Sequence, residues 1–453
     1  MLGKDLLLGL TFYRQIADNE VVRSWQKLME EVDGAIPAKT IDAYHRFNAL
    51  ALEYKWPDFL LDLILDDDNL FSRTAANKGT EIPPSLREIA RRDLQLLQEV
   101  ANLTPQLIKE RVVKNLQDNE AWDIPTDHPL HPNNWPQWDQ EIGGLSNTSV
   151  EEKDSSGAEW LFAARKKIKK ALAEHSLVEG MDALVTHYKE VGFGIFGHYA
   201  AVRWYKDHFQ GRFKGIKNPD PIQLDDLVGL EREKKIVIEN TEHFLAGLPS
   251  NNVLLYGNRG TGKSSMVKAL LNSYVKKGLR LVELAKNDLQ DFAQICQLLE
   301  NEPFKFIIFI DDLSFDDNEP EYKVLKTLIE GGIQTRPENI LVYATSNRKH
   351  LIKETHEERQ SEVHGRDVQD EKLSLSDRFG ITVTFTSPDQ NEYLKIVESL
   401  AAQNSLSIDR DELHQLALRW VLMQKGRSGR TAKQLVDKLV AQAKFDGTEF
   451  SKE

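Results

Sequence analysis

The sequence predicts an α/β fold: a five-stranded parallel sheet covered by helices on both faces, an all-α domain before it and a helical lid after it. Three observations predict this. Short apolar runs at 252–256, 279–284, 306–310, 340–345 and 381–385 alternate with helical stretches at 264–275, 288–300 and 320–332, the texture of parallel strands joined by crossover helices. Ile307-Ile308-Phe309-Ile310 is apolar at every position, as a strand covered on both faces must be. On either side of this region the apolar period is helical only.

Taken in order, residues 1–123 read as a helical N-terminal domain, in which Val21, Trp25, Leu28, Met29 and Val32 share one helix face and Thr104-Pro105 starts a helix carrying Leu107, Ile108 and Leu116. Residues 124–158, with Pro125, Pro129, Pro132 and Pro136, then Gly143-Gly144 and a Ser-rich acidic run, read as an irregular linker. Residues 159–220 read as a helical and aromatic connector. It begins with the basic cluster Arg165, Lys166, Lys167, Lys169 and Lys170, a solvated helix face or, as the lesser reading, a contact for an acidic partner or nucleic acid. Its aromatic part, Phe196, Tyr199, Trp204, Tyr205 and Phe209, reads as core packing. Residues 221–386 form the α/β core. The lid spans 387–447, starting at Ser387-Pro388 with Gln390 completing a capping-box pattern.

Composition sets outer limits. Of 453 residues, 40% are hydrophobic and 28% charged, the balance of a folded water-soluble chain. The net charge of -13 disfavours a broad grip on polyanions. The single Cys296 fits a reducing compartment, the start of the chain lacks a signal-peptide pattern, and no segment reaches the roughly 18 apolar residues of a membrane span. A cytoplasmic protein is expected.

The chemistry concentrates in three places. Gly257-Asn258-Arg259-Gly260-Thr261-Gly262-Lys263-Ser264 matches G-x-x-x-x-G-K-[ST] between an apolar strand and an amphipathic helix. Its glycines let successive N–H groups, on to Ser265, converge on phosphate oxygens at a helix N-terminus. Lys263 is expected to reach the β and γ phosphates of ATP, and Ser264 to ligate Mg²⁺. Asp311 and Asp312 follow the 306–310 strand; the first is expected at the metal through water, the second at the attacking water, although aspartate is one methylene shorter than the more usual glutamate. A third apolar strand ends at Asn347, whose amide is suited to hold that water. His128 and His131 have a metal-compatible spacing but no third ligand nearby in sequence.

This order of parts resembles the AAA+ ATPases. Leu224-Asp225-Asp226-Leu227-Val228-Gly229 looks like the segment that packs on adenine in that superfamily, implying base contacts from Val228 and Gly229. Leu375-Ser376-Asp377-Arg378-Phe379-Gly380 resembles the element that lends an arginine finger to a neighbouring subunit, implying a homo-oligomer through Arg378. Gly426-Arg427-Ser428-Gly429-Arg430-Thr431 resembles the sensor-2 element, implying that Arg430 reads the γ phosphate from the lid. The run from Asn251 through the P-loop, Phe309 to Phe315, Leu328-Ile329-Glu330-Gly331-Gly332, Tyr343 to Arg348 and Leu373 to Gly380 resembles, over about residues 160–445, a bacterial AAA+ family known only as a domain of unknown function. That likeness includes the paired aspartates.

The expectation is an ATP-binding, Mg²⁺-dependent ATPase that remodels or assembles a protein client. A nucleotide-gated scaffold with slow turnover and a helicase-loader-like ATPase acting with nucleic acid are the alternatives, the latter disfavoured by charge. The charged stretch 353–372 reads as a surface loop.

Overall fold

The computed structural model describes residues 3, 5–34, 36–56, 58–117, 124–139, 157–207, 210–315, 324–326, 329, 337–347, 378–424 and 426–445. Most of the helical stretch predicted at 320–332, the Ser-rich half of the linker and the charged stretch 353–372 lie outside these residues. The chain forms two compact units, Met1–Lys153 with Glu159–His198, and Asp154–Ala158 with Tyr199–Glu453.

The first unit is helical: α1 (Glu20–Gly34), α2 (Pro37–Tyr54), α3 (Asp58–Asp66), α4 (Leu70–Lys78), α5 (Pro84–Ala101), α6 (Pro105–Gln117), most of α7 (Gly157–Glu174), α8 (Met181–Glu190) and α9 (Gly194–His198). The predicted face of α1 is the buried one, with Val21, Trp25, Leu28, Met29 and Val32 all in the core. On α5 the fully buried Asp93 accepts the N–H groups of Thr11 (2.9 Å), Phe12 (2.6 Å) and Tyr13 (3.3 Å). A carboxylate there satisfies the otherwise orphaned donors that open the 3₁₀ turn Tyr13–Asp18.

Two stretches fold differently from their sequence texture. Within the Pro-rich stretch, Trp135 and Trp138 are buried in the helical core, Tyr44 donates to the Pro136 carbonyl (2.7 Å) and Lys109 to that of Trp135 (2.5 Å). The prolines therefore shape an irregular strap over this unit through at least residue 139. The basic cluster of α7 divides. Lys166, Lys167 and Lys170 are exposed, whereas Arg165 is 7% exposed in its side chain and donates to Asp66 and Asp62 of α3, both at 2.7 Å. Lys169 reaches Asp58 (2.9 Å) and Asp62 (2.5 Å) on the same helix. The acidic partner for this face is internal.

Arg165→Ala is expected to destabilise this unit by about 2 kcal/mol, less than for a fully buried pair because water reaches the carboxylates it abandons. Urea unfolding followed by tryptophan fluorescence measures it. A midpoint unchanged from the parent would mean the pairs contribute nothing net.

The second unit is built on one sheet. Among the described residues it has seven strands, which corrects the five predicted. The five expected strands are present as β3 (Val253–Gly257), β4 (Leu279–Glu283), β5 (Lys305–Ile310), β6 (Ile340–Ser346) and β7 (Ile381–Phe385), and the extra pair is β1 (Ala201–Asp207) and β2 (Gln210–Gly215). The order is β2-β1-β4-β5-β6-β3-β7, parallel throughout except for the β1–β2 hairpin. Of the aromatic segment read as core packing, Phe196 and Trp204 are buried, Tyr205 is exposed on β1, and Phe209 lies outside the described residues. In β1 only Ala201, Val202 and Trp204 are buried; in β2 no residue is, and half-buried Gly211, Phe213 and Gly215 alternate with exposed Gln210, Arg212 and Lys214. In the interior, β6 is buried at every residue and β5 at all but Lys305.

Arg280 interrupts the apolar run of β4 and is fully buried. It donates to the Val275 and Leu279 carbonyls and lies 4.3 Å from the centre of the Phe304 ring. Burial pushes its guanidinium down to about 9.

Helices α10 (Glu231–Leu245), α11 (Lys263–Tyr274) and α12 (Phe292–Leu299) accompany the sheet, and α13 (Gln390–Gln403), α14 (Arg410–Met423) and α15 (Gly429–Phe445) form the lid. The lid has its own core, centred on Tyr393, Val397, Ala417 and Leu435. Its first helix is capped two residues later than predicted: Asp389 accepts from Glu392 N–H, and the Glu392 side chain accepts from Asp389 N–H. Ser387 does something else, described below.

Candidate active site

Parallel strands present their carboxyl ends on one edge, and the register decides which ends are neighbours. Tyr256 pairs with Ser346 and Ile310 with Ala344. The residues that follow, Gly257, Asn347 and Asp311, therefore leave adjacent strands side by side. The predicted P-loop, aspartates and asparagine come together for this reason.

The P-loop is tightly constrained. Gly257 has φ +148°, and a Cβ on it would lie 1.9 Å from the Phe385 carbonyl oxygen of β7. Gly257→Ala is expected to cost about 3 kcal/mol, from strain plus displacement of β7; a urea midpoint equal to the parent's would contradict this. Thr261 donates to the Asn258 carbonyl (2.8 Å), and Asn258 donates from its side chain to Ser387 Oγ (2.9 Å). Ser387 thereby ties the loop to the start of the lid. The segment from Leu227 to Leu230 lies against Gly262, with Val228 half-buried beside it and Gly229 exposed at φ +78°. Asp226 in turn accepts from Gln403 of α13 (2.8 Å).

Lys263 is buried and its three N–H donors have three acceptors: the carbonyls of Gly257 (2.8 Å) and Asn258 (2.7 Å), and Asn347 Oδ1 (3.2 Å). Burial holds its ammonium below the usual lysine range; Asp311 and Asp312 oppose that, while Arg430 and Arg259 reinforce it. Ser264 Oγ donates to Asp311 Oδ1 at 2.6 Å, and Asn347 Nδ2 donates to Asp312 Oδ1. A hydroxyl against a solvent-exposed carboxylate is a hard-oxygen pair of the kind that holds Mg²⁺ together with phosphate oxygens, so the residues fit that ion.

Thr345, missed in the sequence, belongs to the same network: it is buried, donates to Asp311 Oδ1 (2.5 Å) and accepts from Asp312 N–H (2.9 Å). Only the β5–β6 register reveals it.

From the lid, the N-terminus of α15 rests on the P-loop. A Cβ on Gly260 would lie 3.0 Å from both Arg430 Cβ and Ser428 Oγ. Arg430 itself is exposed. Arg378, half-buried, stands apart from this cluster. It precedes β7, whose first residue pairs with Val253 at the amino end of β3; at ~3.3 Å per residue it is more than ~13 Å along the sheet from Gly257. The residues just before it, 371–377, lie outside the described ones.

His128 and His131 each use Nδ1 to accept a backbone N–H two residues on. Among the described residues there is no cluster of metal-ligating side chains, and no helix is long and apolar enough to cross a membrane.

A P-loop at the carboxyl edge of a parallel sheet, overlaid by a three-helix lid, is the build of the AAA+ ATPases, and the chain is of that class. Within it, the chain belongs to the family described as "Protein of unknown function (DUF815)", which matches residues 197–443, more than half its length. It is 34% identical over 90 residues to the replication factor C large subunit of Staphylothermus marinus, covering 20% of this chain and 21% of that protein. Over 113 residues it is 31% identical to the probable mitochondrial chaperone BCS1-A of Dictyostelium discoideum, covering 23% and 26%. The chain thus spans about a fifth to a quarter of these relatives. Among solved structures, the RuvB Holliday junction branch migration motor of Thermotoga maritima aligns at 18% identity and TM-score 0.36 over 50% of this chain and 67% of that one. The FIGL-1 AAA domain in complex with ADP aligns at 19% and 0.36 over 51% and 76%.

Proposed function

We propose that this chain binds ATP with Mg²⁺ at Gly257–Ser265 and hydrolyses it, using the cycle to remodel or assemble a protein partner. One observation carries this reading: Lys263, Ser264, Asp311, Asp312 and Asn347 converge at three adjacent strand ends through direct hydrogen bonds. In the proposed reaction Lys263 neutralises the β and γ phosphates, Ser264 and Asp311 hold Mg²⁺, and Asp312 with Asn347 orients the water that attacks the γ phosphorus. Held there, Mg²⁺ would supply Lewis-acid stabilisation of the charge that develops on the phosphates. Val228 and Gly229 take the adenine side, and Arg430 the γ phosphate.

Arg378 is proposed to act on a neighbouring copy's phosphate. Its distance from its own P-loop supports this, because an arginine that serves a neighbour's phosphate must lie away from its own. The lid is the moving part, coupled to the phosphate site through Ser387, Ser428 and Arg430. A soluble, cytoplasmic homo-oligomer with a protein client is the setting this implies.

A second reading, a scaffold gated by nucleotide with slow turnover, is favoured by one feature: Asp312 is both short and already engaged by Asn347. Steady-state phosphate release by the purified chain, with Mg²⁺ and across a range of protein concentrations, separates the two. Turnover that rises with concentration supports the oligomeric ATPase; nucleotide binding without turnover at any concentration or with any partner removes it.

A further inference from the structure

We propose that Thr345 is a positioning residue for the metal and water sites, an inference that rests on the Mg²⁺-ATP reading above. Thr345 is 1% exposed and sits at the carboxyl end of β6, where the register brings it beside the end of β5. It donates its one proton to Asp311 Oδ1 (2.5 Å) and accepts the Asp312 backbone N–H (2.9 Å). A hydroxyl can do both at once; neither a methyl group nor a pure acceptor can.

Two consequences follow for the chemistry. Asp311 Oδ1 gathers donors from Thr345, from Ser264 (2.6 Å) and, more weakly, from Asp312 N–H (3.2 Å). That fixes the plane of the carboxylate proposed to serve the metal, the role outer partners play around ligating groups. Asp312 is in the left-handed region, φ +53°, one of three non-glycine residues with positive φ among those described. Such a conformation costs about 1 kcal/mol or more and persists only where surroundings enforce it. Here Thr345 enforces it twice, through its hydroxyl on Asp312 N–H and its carbonyl on Leu313 N–H (2.7 Å). The turn directs the Asp312 side chain to Asn347. One buried hydroxyl thus sets both carboxylates.

The test uses the full chain and a fluorescent ATP analogue, titrated in EDTA and in Mg²⁺. Thr345→Val, which keeps the shape and removes the hydroxyl, is expected to bind the analogue in EDTA within about twofold of the parent. Its gain in affinity on adding Mg²⁺ should be about tenfold smaller, with Thr345→Ser restoring the gain. A parental Mg²⁺ gain in Thr345→Val overturns the proposal. So does an equal loss in EDTA and in Mg²⁺, which signals a general structural role. If Thr345→Val does not fold, Thr345→Ser and Thr345→Ala, which differ only by the hydroxyl, carry the same comparison. A parent that binds no nucleotide defeats the underlying reading and this proposal with it. A parent that binds nucleotide with no Mg²⁺ gain defeats the proposal and leaves nucleotide binding at the P-loop standing.

Discussion

Lys263→Ala is expected to lower ATP turnover by at least ~10³-fold, or about 4 kcal/mol of barrier, and to weaken ATP binding by about tenfold or more. The side chain has two tasks. As a buried ammonium it would, on the proposed reading, meet the phosphates without competing water, where a charge acts most strongly. As a three-way donor it also ties the Gly257 and Asn258 carbonyls to Asn347. Its removal unties the loop and the asparagine together. The cost of burying the ammonium offsets its three hydrogen bonds, so the melting temperature of Lys263→Ala should stay close to the parent's. Lys263→Arg should not rescue activity, because a planar fork cannot reproduce three tetrahedral donors in that space. Steady-state phosphate release, nucleotide titration and calorimetry check these expectations. Turnover within threefold of the parent would sink the assignment of the P-loop as the site of ATP hydrolysis.

The residues of this site differ in how far the sequence alone exposes them. The P-loop is legible because its physics is local: glycines, lysine and serine act within one turn between a strand and a helix. Asp311, Asp312 and Asn347 are legible because each ends an apolar run, and parallel strands share one carboxyl edge. Thr345 is different, since nothing in its neighbours distinguishes it. Its task depends on a pairing between strands about thirty residues apart in sequence. The same non-locality hides Arg165, which looks like any lysine-rich helix face until α3 supplies Asp62 and Asp66. The β1–β2 hairpin escaped because the inward positions of β2 are Gly211, Phe213 and Gly215, whose alternation carries a single large apolar side chain. Ser387 and Asp389 show competition between like signals. Both are good N-caps by residue type, but Ser387 is engaged by Asn258, and Asp389 has Glu392 in the reciprocal position.

Asp312→Ala separates the motor from the scaffold. If Asp312 orients the attacking water, its loss should reduce turnover by about 10²–10⁴-fold while ATP affinity stays within a few fold, because the carboxylate acts on the water and not on the ground-state nucleotide. Such a variant would hold ATP in place, and ATP-dependent assembly should persist or increase. If the chain is instead a gated scaffold, Asp312→Ala should alter an already slow turnover little, and only Lys263→Ala should abolish assembly. Asp312→Glu sharpens the distinction. The extra methylene extends the carboxylate towards the phosphate side but must leave the contact with Asn347 as it now stands. An increase in turnover would mean that aspartate holds hydrolysis back in this chain. A decrease would mean that the αL turn and the Asn347 contact are fitted to the shorter side chain, with the geometry set at Thr345. Single-turnover measurements with the three variants, beside chemical crosslinking of the ATP-bound state, read out rate and assembly together. Full turnover in Asp312→Ala, with rapid phosphate release, would remove Asp312 from the catalytic machinery and require another group to orient the water.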